Sequence, residues 1–124
     1  MGISLKRLES QALKELSIIL NRKAKNNYLK KITVTSVKIT NDLSFMTVYY
    51  TFYDGKLENY IDALETSKSF LKAELAKSLN ARKTPDLIFK FDESLAYGNH
   101  IEELIKQYHE KHDTADSKNN IDEN

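Results

Sequence analysis

The sequence predicts a single α+β domain in the order helix, strand, strand, broken helix, strand, closed by a short C-terminal helix. Three observations predict it: an apolar helical stripe near the N-terminus, two strand-forming runs flanking Asn41-Asp42, and a second helical stripe followed by an alternating run that Pro85 opens. A chain of 124 residues buries enough surface to fold as one domain without staples, and it has no cysteine to supply one.

The first stripe is Leu5, Leu8, Ala12, Leu16, Ile19 and Leu20, which fall on one face of a helix from about Ser4 to Ala24. Asn26-Asn27 break that pattern, and Arg22 to Lys31 carries five cations and no acid, which reads as a basic loop. Thr33 to Thr40 and Phe45 to Tyr53 are rich in β-branched and aromatic residues, as strands require. Pairing Thr40 with Leu43 across a tight Asn41-Asp42 turn sets Val37 opposite Met46 and Thr35 opposite Val48, with Tyr50 and Phe52 continuing the apolar face. Ile32 and Val34 have the opposite phase, so either a bulge lies near Ser36 or these two face outward.

Asp54-Gly55 is the next turn, followed by the stripe Leu57, Ile61, Leu64, Leu71, Leu75 and Leu79. Its middle, Thr66-Ser67-Lys68-Ser69, places hydroxyl side chains where they can bond back to the backbone, which predicts a kink at Ser67 and Ser69. Leu87, Phe89 and Phe91 then alternate with Ile88 and Lys90 in a third strand. Ile101, Leu104, Ile105 and Tyr108 predict a helix over 99–112. Residues 113–124 hold only Ala115 and Ile121 as aliphatics and read as a disordered acidic tail.

Charge is uneven. Residues 1–97 carry 16 Lys+Arg against 11 Asp+Glu, and residues 98–124 carry 3 against 7. A basic body suits a polyanionic partner. The first eight residues have charges where a signal peptide needs its apolar stretch, and no later apolar run approaches a membrane span, so a cytoplasmic protein without membrane association is expected.

The only glycines are Gly2, Gly55 and Gly98, so no phosphate-cradling loop, dinucleotide fingerprint or nucleophile elbow can be written. Asp92, Glu93 and His100 are the best acid/base set, yet nothing in the sequence encloses them, and Asp92 reads as a turn residue accepting backbone N–H bonds. His109 and His112 with Asp113 and Asp116 have metal-ligand spacing, but such a pair at a polar helix end is ordinarily solvated surface. Neither catalysis nor a cofactor is expected. The outward aromatics Phe45, Tyr49 and Tyr53 could stack on unpaired bases, although aromatics are in any case good strand formers. The cations form two groups: Arg22, Lys23, Lys25, Lys30 and Lys31 in the loop, and Lys68, Lys72, Lys77, Arg82 and Lys83 from the kink to the helix end. Both are candidate phosphate contacts, and the kink group is expected to dominate, because a helix N-terminus there favours phosphate while a mobile loop would cost more to order.

The element order resembles the type II K-homology arrangement, and the residues resemble the bacterial ribosome-binding factor A family from about Arg7 to Gly98. The resemblance is carried by Arg7, Lys14-Glu15-Leu16, Thr33-Val34-Thr35-Ser36-Val37, Asp42-Leu43, Val48-Tyr49, Phe70-Leu71-Lys72, Arg82, Pro85 and Leu87 to Ser94. It implies a K-homology-like RNA-binding domain over 1–98. It also implies a monomeric, non-enzymatic assembly factor that binds the immature 30S subunit and its 16S rRNA, tied to processing of the 5′ end and to growth in the cold. Two departures stand out. The Ala-x-Gly kink of the family is replaced here by Ser67-Lys68-Ser69, and Asn80 stands where a second arginine is typical. The residues alone leave open a general single-stranded RNA-binding module, or a protein interaction domain with no RNA role.

Overall fold

The computed structural model describes residues 4–80, 83–94 and 106. The elements are α1 (Leu5–Ile18), a π-helical turn (Ile19–Lys23), α2 (Asn27–Lys30), β1 (Ile32–Ile39), β2 (Phe45–Phe52), α3 (Leu57–Thr66), α4 (Lys68–Leu79) and β3 (Asp86–Phe91). The expected helix over 99–112 and tail over 113–124 fall outside the described residues, apart from Lys106, which is helical and exposed.

Helix α1 starts where Ser4 accepts the Arg7 N–H, a cap on an otherwise orphaned donor. Its stripe buries Ala12 and Leu16 and runs on into the π-helical turn, where Ile19 and Leu20 are also buried. The extra residue of that turn is closed by the Ala24 N–H donating to the Ile19 carbonyl. The segment expected to be a loop is therefore built. Asn26 caps α2 through the Tyr28 N–H, and Ala24 and Leu29 drop into the core.

The sheet order is β1-β2-β3, with β1 antiparallel and β3 parallel to β2. The hairpin register differs from the expected one by two residues: Ile39 faces Met46 and Val37 faces Val48. Residues 41–44 form the loop, with the Thr40 N–H donating to Phe45, and Leu43 adopts a left-handed backbone at φ 61. A shift of two keeps every side chain on its own face, so the expected core face survives the correction. The register slips between Val34 and Ser36, a bulge with Thr35 as the extra residue, and this turns Ile32 and Val34 inward with Val37 and Ile39. Val48, Tyr50, Phe52, Leu87 and Phe91 complete the buried face, while Phe45 and Tyr53 are exposed.

The long helical stripe breaks at Ser67, whose backbone (φ −96, ψ 3) leaves the helical region for one residue. Helical bonding nearly runs through: the Ser67 N–H donates to Ala63 and its carbonyl accepts from Leu71. No side-chain cap bond forms at Ser67, and Ser69 lies in the first turn of α4, so hydroxyl back-bonding does not make this break. Packing supplies the reason. Tyr60, which the leucine stripe overlooks, is fully buried on α3 and stacks on Phe52 with ring centroids 3.8 Å apart, while Leu71 and Leu75 of α4 are buried with α1 alongside. Helix α4 ends at Asn80, a left-handed cap (φ 49) of the kind Asn tolerates. Pro85 opens β3, as its missing N–H permits.

Candidate nucleic-acid interface

The kink group assembles around a carboxylate. Lys72 donates to Asp86 at 2.6 Å, and the Asp86 carboxyl lies below the usual carboxylate range first because of the Lys72 hydrogen bond, then through the charge of Lys72, with Lys83 and Lys68 adding to it. Lys68 pairs with Glu65 at 3.0 Å and lies over the Phe89 ring, 5.9 Å from its centroid. Lys83 also stands near Asp42, whose carboxyl is lowered chiefly by hydrogen bonds from Ser44 and Thr40. The structure thus brings Lys68, Lys72 and Lys83 together, whereas Arg82 lies outside the described residues.

The second group occupies the π-helical turn and α2. Arg22, Lys23, Lys25, Lys30 and Lys31 are all exposed. Lys23 reaches Glu74 of α4 at 3.5 Å, and Glu74 also holds Lys77 at 3.2 Å. The Lys77 bond is the main cause that lowers the Glu74 carboxyl. Among the described residues Arg22, Lys25, Lys30 and Lys31 have no ion-pair partner. Tyr28, between these cations, meets Tyr60 edge-on at 5.3 Å and fixes α2 against α3. Sequence reasoning picked out the cations but missed Glu74 and Asp86, because nothing local links either carboxylate to the lysine it meets.

Asp92 is built into the fold. The bulge residue Thr35 donates its hydroxyl to Asp92 at 2.5 Å, and Ser94 donates both its N–H and its hydroxyl. Burial pushes the Asp92 carboxyl up, but the Ser94 and Thr35 bonds outweigh it and the net direction is downward. A carboxylate held ionised in this way is a poor general base near neutral pH. His100, the third member of that set, and the His109, His112, Asp113 and Asp116 set lie outside the described residues. No metal-binding cluster occurs among the described residues, and no described helix is long and apolar enough to cross a membrane.

A three-stranded mixed sheet covered on one face by helices, with a broken helix pair crossing from β2 to β3, defines a K-homology-like α+β domain. The chain belongs to the ribosome-binding factor A family, whose model matches residues 4–105. It is similar to ribosome-binding factor A of Phytoplasma mali (strain AT), 43% identical over 86% of this chain and 96% of that one. The protein of the same name from Macrococcus caseolyticus (strain JCSC5402) is 42% identical, again over 86% of this chain and 96% of that one. Among solved structures, the crystal structure of ribosome-binding factor A from Thermus thermophilus superposes with a TM-score of 0.64 at 26% identity, covering 71% of this chain and 96% of that one. A homology model of the T. thermophilus protein, fitted into a cryo-EM map of its 30S complex, gives 0.62 at 24% identity over 73% of this chain and 97% of that one, a likeness of fold.

Proposed function

We propose that this chain binds the immature 30S subunit, contacts 16S rRNA, acts late in subunit maturation including processing of the 16S 5′ end, and supports growth in the cold. The observation that carries the reading is family membership across residues 4–105, which spans every described element. The exposed cations of the body supply the electrostatic attraction that binding to RNA requires. In this reading the protein is a cytoplasmic monomer that works without catalysis or cofactor. Residues 1–98 carry the binding, and 113–124 are dispensable for it.

The test is complementation. In bacteria deleted for their own ribosome-binding factor A and grown in the cold, expressing this chain should restore mature 16S 5′ ends, read by primer extension. Precursor ends that persist despite normal expression would contradict the role in processing.

A further inference from the structure

We infer that the π-helical turn and α2, through Arg22, Lys25, Lys30 and Lys31, form the surface that meets the RNA phosphates, and that the kink lysines serve mainly inside the protein. The inference rests on the RNA-binding reading above and names its site. The sequence favours the kink group on the premise that the other is a mobile loop, and the surroundings of the two groups reverse that order.

At the kink, three described cations, Lys68, Lys72 and Lys83, share their space with three carboxylates, Glu65, Asp86 and Asp42. An approaching phosphate meets described cations matched in number by carboxylates, and it must compete with Asp86 for the Lys72 ammonium at 2.6 Å. Surface pairs contribute little to stability, but the field a distant polyanion feels depends on the sum of charges, and among the described residues there the cations and carboxylates are equal in number. At the turn, Arg22, Lys23, Lys25, Lys30 and Lys31 face one ion-paired carboxylate, Glu74, and Glu74 draws Lys77 of α4 to the same side. Cations outnumber that carboxylate, and four of them have no ion-pair partner among the described residues.

Preorganisation favours the same surface. A mobile basic loop would lose backbone freedom on binding, at about 1–2 kcal/mol per residue ordered. Here that ordering is complete before RNA arrives. The Ala24 N–H closes the π-helical turn, Asn26 caps α2, Leu29 is 1% exposed in the core, and Tyr28 packs on Tyr60. Only the long side chains remain to be ordered.

Two variants that remove equal charge test this: Lys25, Lys30 and Lys31 to Gln, and Lys68, Lys72 and Lys83 to Gln. Binding of each variant to purified immature 30S subunits is measured across a salt series, with circular dichroism melts to confirm folding. The turn variant should lose more than about tenfold in affinity, and its log K against log salt slope should flatten by about 2, since each phosphate contact contributes roughly 0.7. The kink variant should stay within about twofold of the parent. A kink variant that loses as much as the turn variant, or a turn variant that keeps parental affinity and slope, overturns the inference. Failure of the unsubstituted protein to bind 30S subunits is a different result, visible before any substitution. It overturns the RNA-binding reading and this inference with it.

Discussion

Asp92 shows how a residue that looks chemically poised is spent on structure. Its carboxylate gathers Thr35 from the bulge and Ser94 from the following turn, and its own N–H donates to the Tyr50 carbonyl at 2.7 Å, so one side chain and its backbone tie the edge of β1 to the end of β3. A carboxyl lowered in the folded state stabilises above its unfolded pKa of about 3.9, and that contribution is lost as pH falls through the folded value. Thr35→Val keeps the β-branched shape at the bulge and deletes one of the bonds that hold the carboxyl ionised. The variant should melt below the parent at pH 7, and the gap should narrow as pH drops below about 4. A gap of constant size from neutral to acid pH would show that the Thr35 bond does not depend on the ionised carboxylate. The turn role of Asp92 was legible in the sequence, from its place after the third strand. Its partner was not, because Thr35 lies 57 residues away. Gly55 is similar: a turn was readable at Asp54-Gly55, but not that a Cβ there, at φ 104, would meet the Tyr60 ring at 3.1 Å.

At the scale of elements, periodicity succeeded wherever an apolar face is long. The stripes of α1, α3 and α4, the strand runs and the phase change at Ile32 and Val34 are all written in residue spacing, and the bulge resolves the last of these. Two elements escaped for physical reasons. The hairpin loop is longer than the Asn41-Asp42 turn suggested because Thr40 and Asp42 side chains close it, accepting from the Ser44 and Phe45 N–H groups. Residues 22–31 read as a loop because only Ala24 and Leu29 are buried there among lysines and asparagines, too few to make a period. Leu29 therefore provides the test of this element. Leu29→Ala should cost about 2–4 kcal/mol, as for any leucine deleted from a packed core. A loss near zero in denaturant titration would mean that α2 rides on the surface unanchored. The break at Ser67 was foreseen for a reason the structure corrects, since burial of Tyr60 on one side and Leu71 on the other shapes it in place of serine hydroxyl bonds.

For the molecule as a whole, the order of elements and the scattered residues Arg7, Lys14, Asp42, Pro85 and Asp92 carried the fold and the family together. Net charge was a weaker guide. The excess of cations over residues 1–97 says that a polyanion is welcome, but the distribution depends on carboxylates contributed by other elements, Glu74 from α4 and Asp86 from β3. Those contacts between elements are what reversed the expected order of the two candidate groups. The central claim, that this domain is a factor for the small ribosomal subunit, meets its most direct test in a sucrose gradient. Purified protein mixed with immature 30S particles should travel with them and stay at the top of the gradient when mixed with intact 70S ribosomes. Protein that remains at the top in both gradients, or that follows 70S ribosomes as readily as 30S particles, would contradict the account.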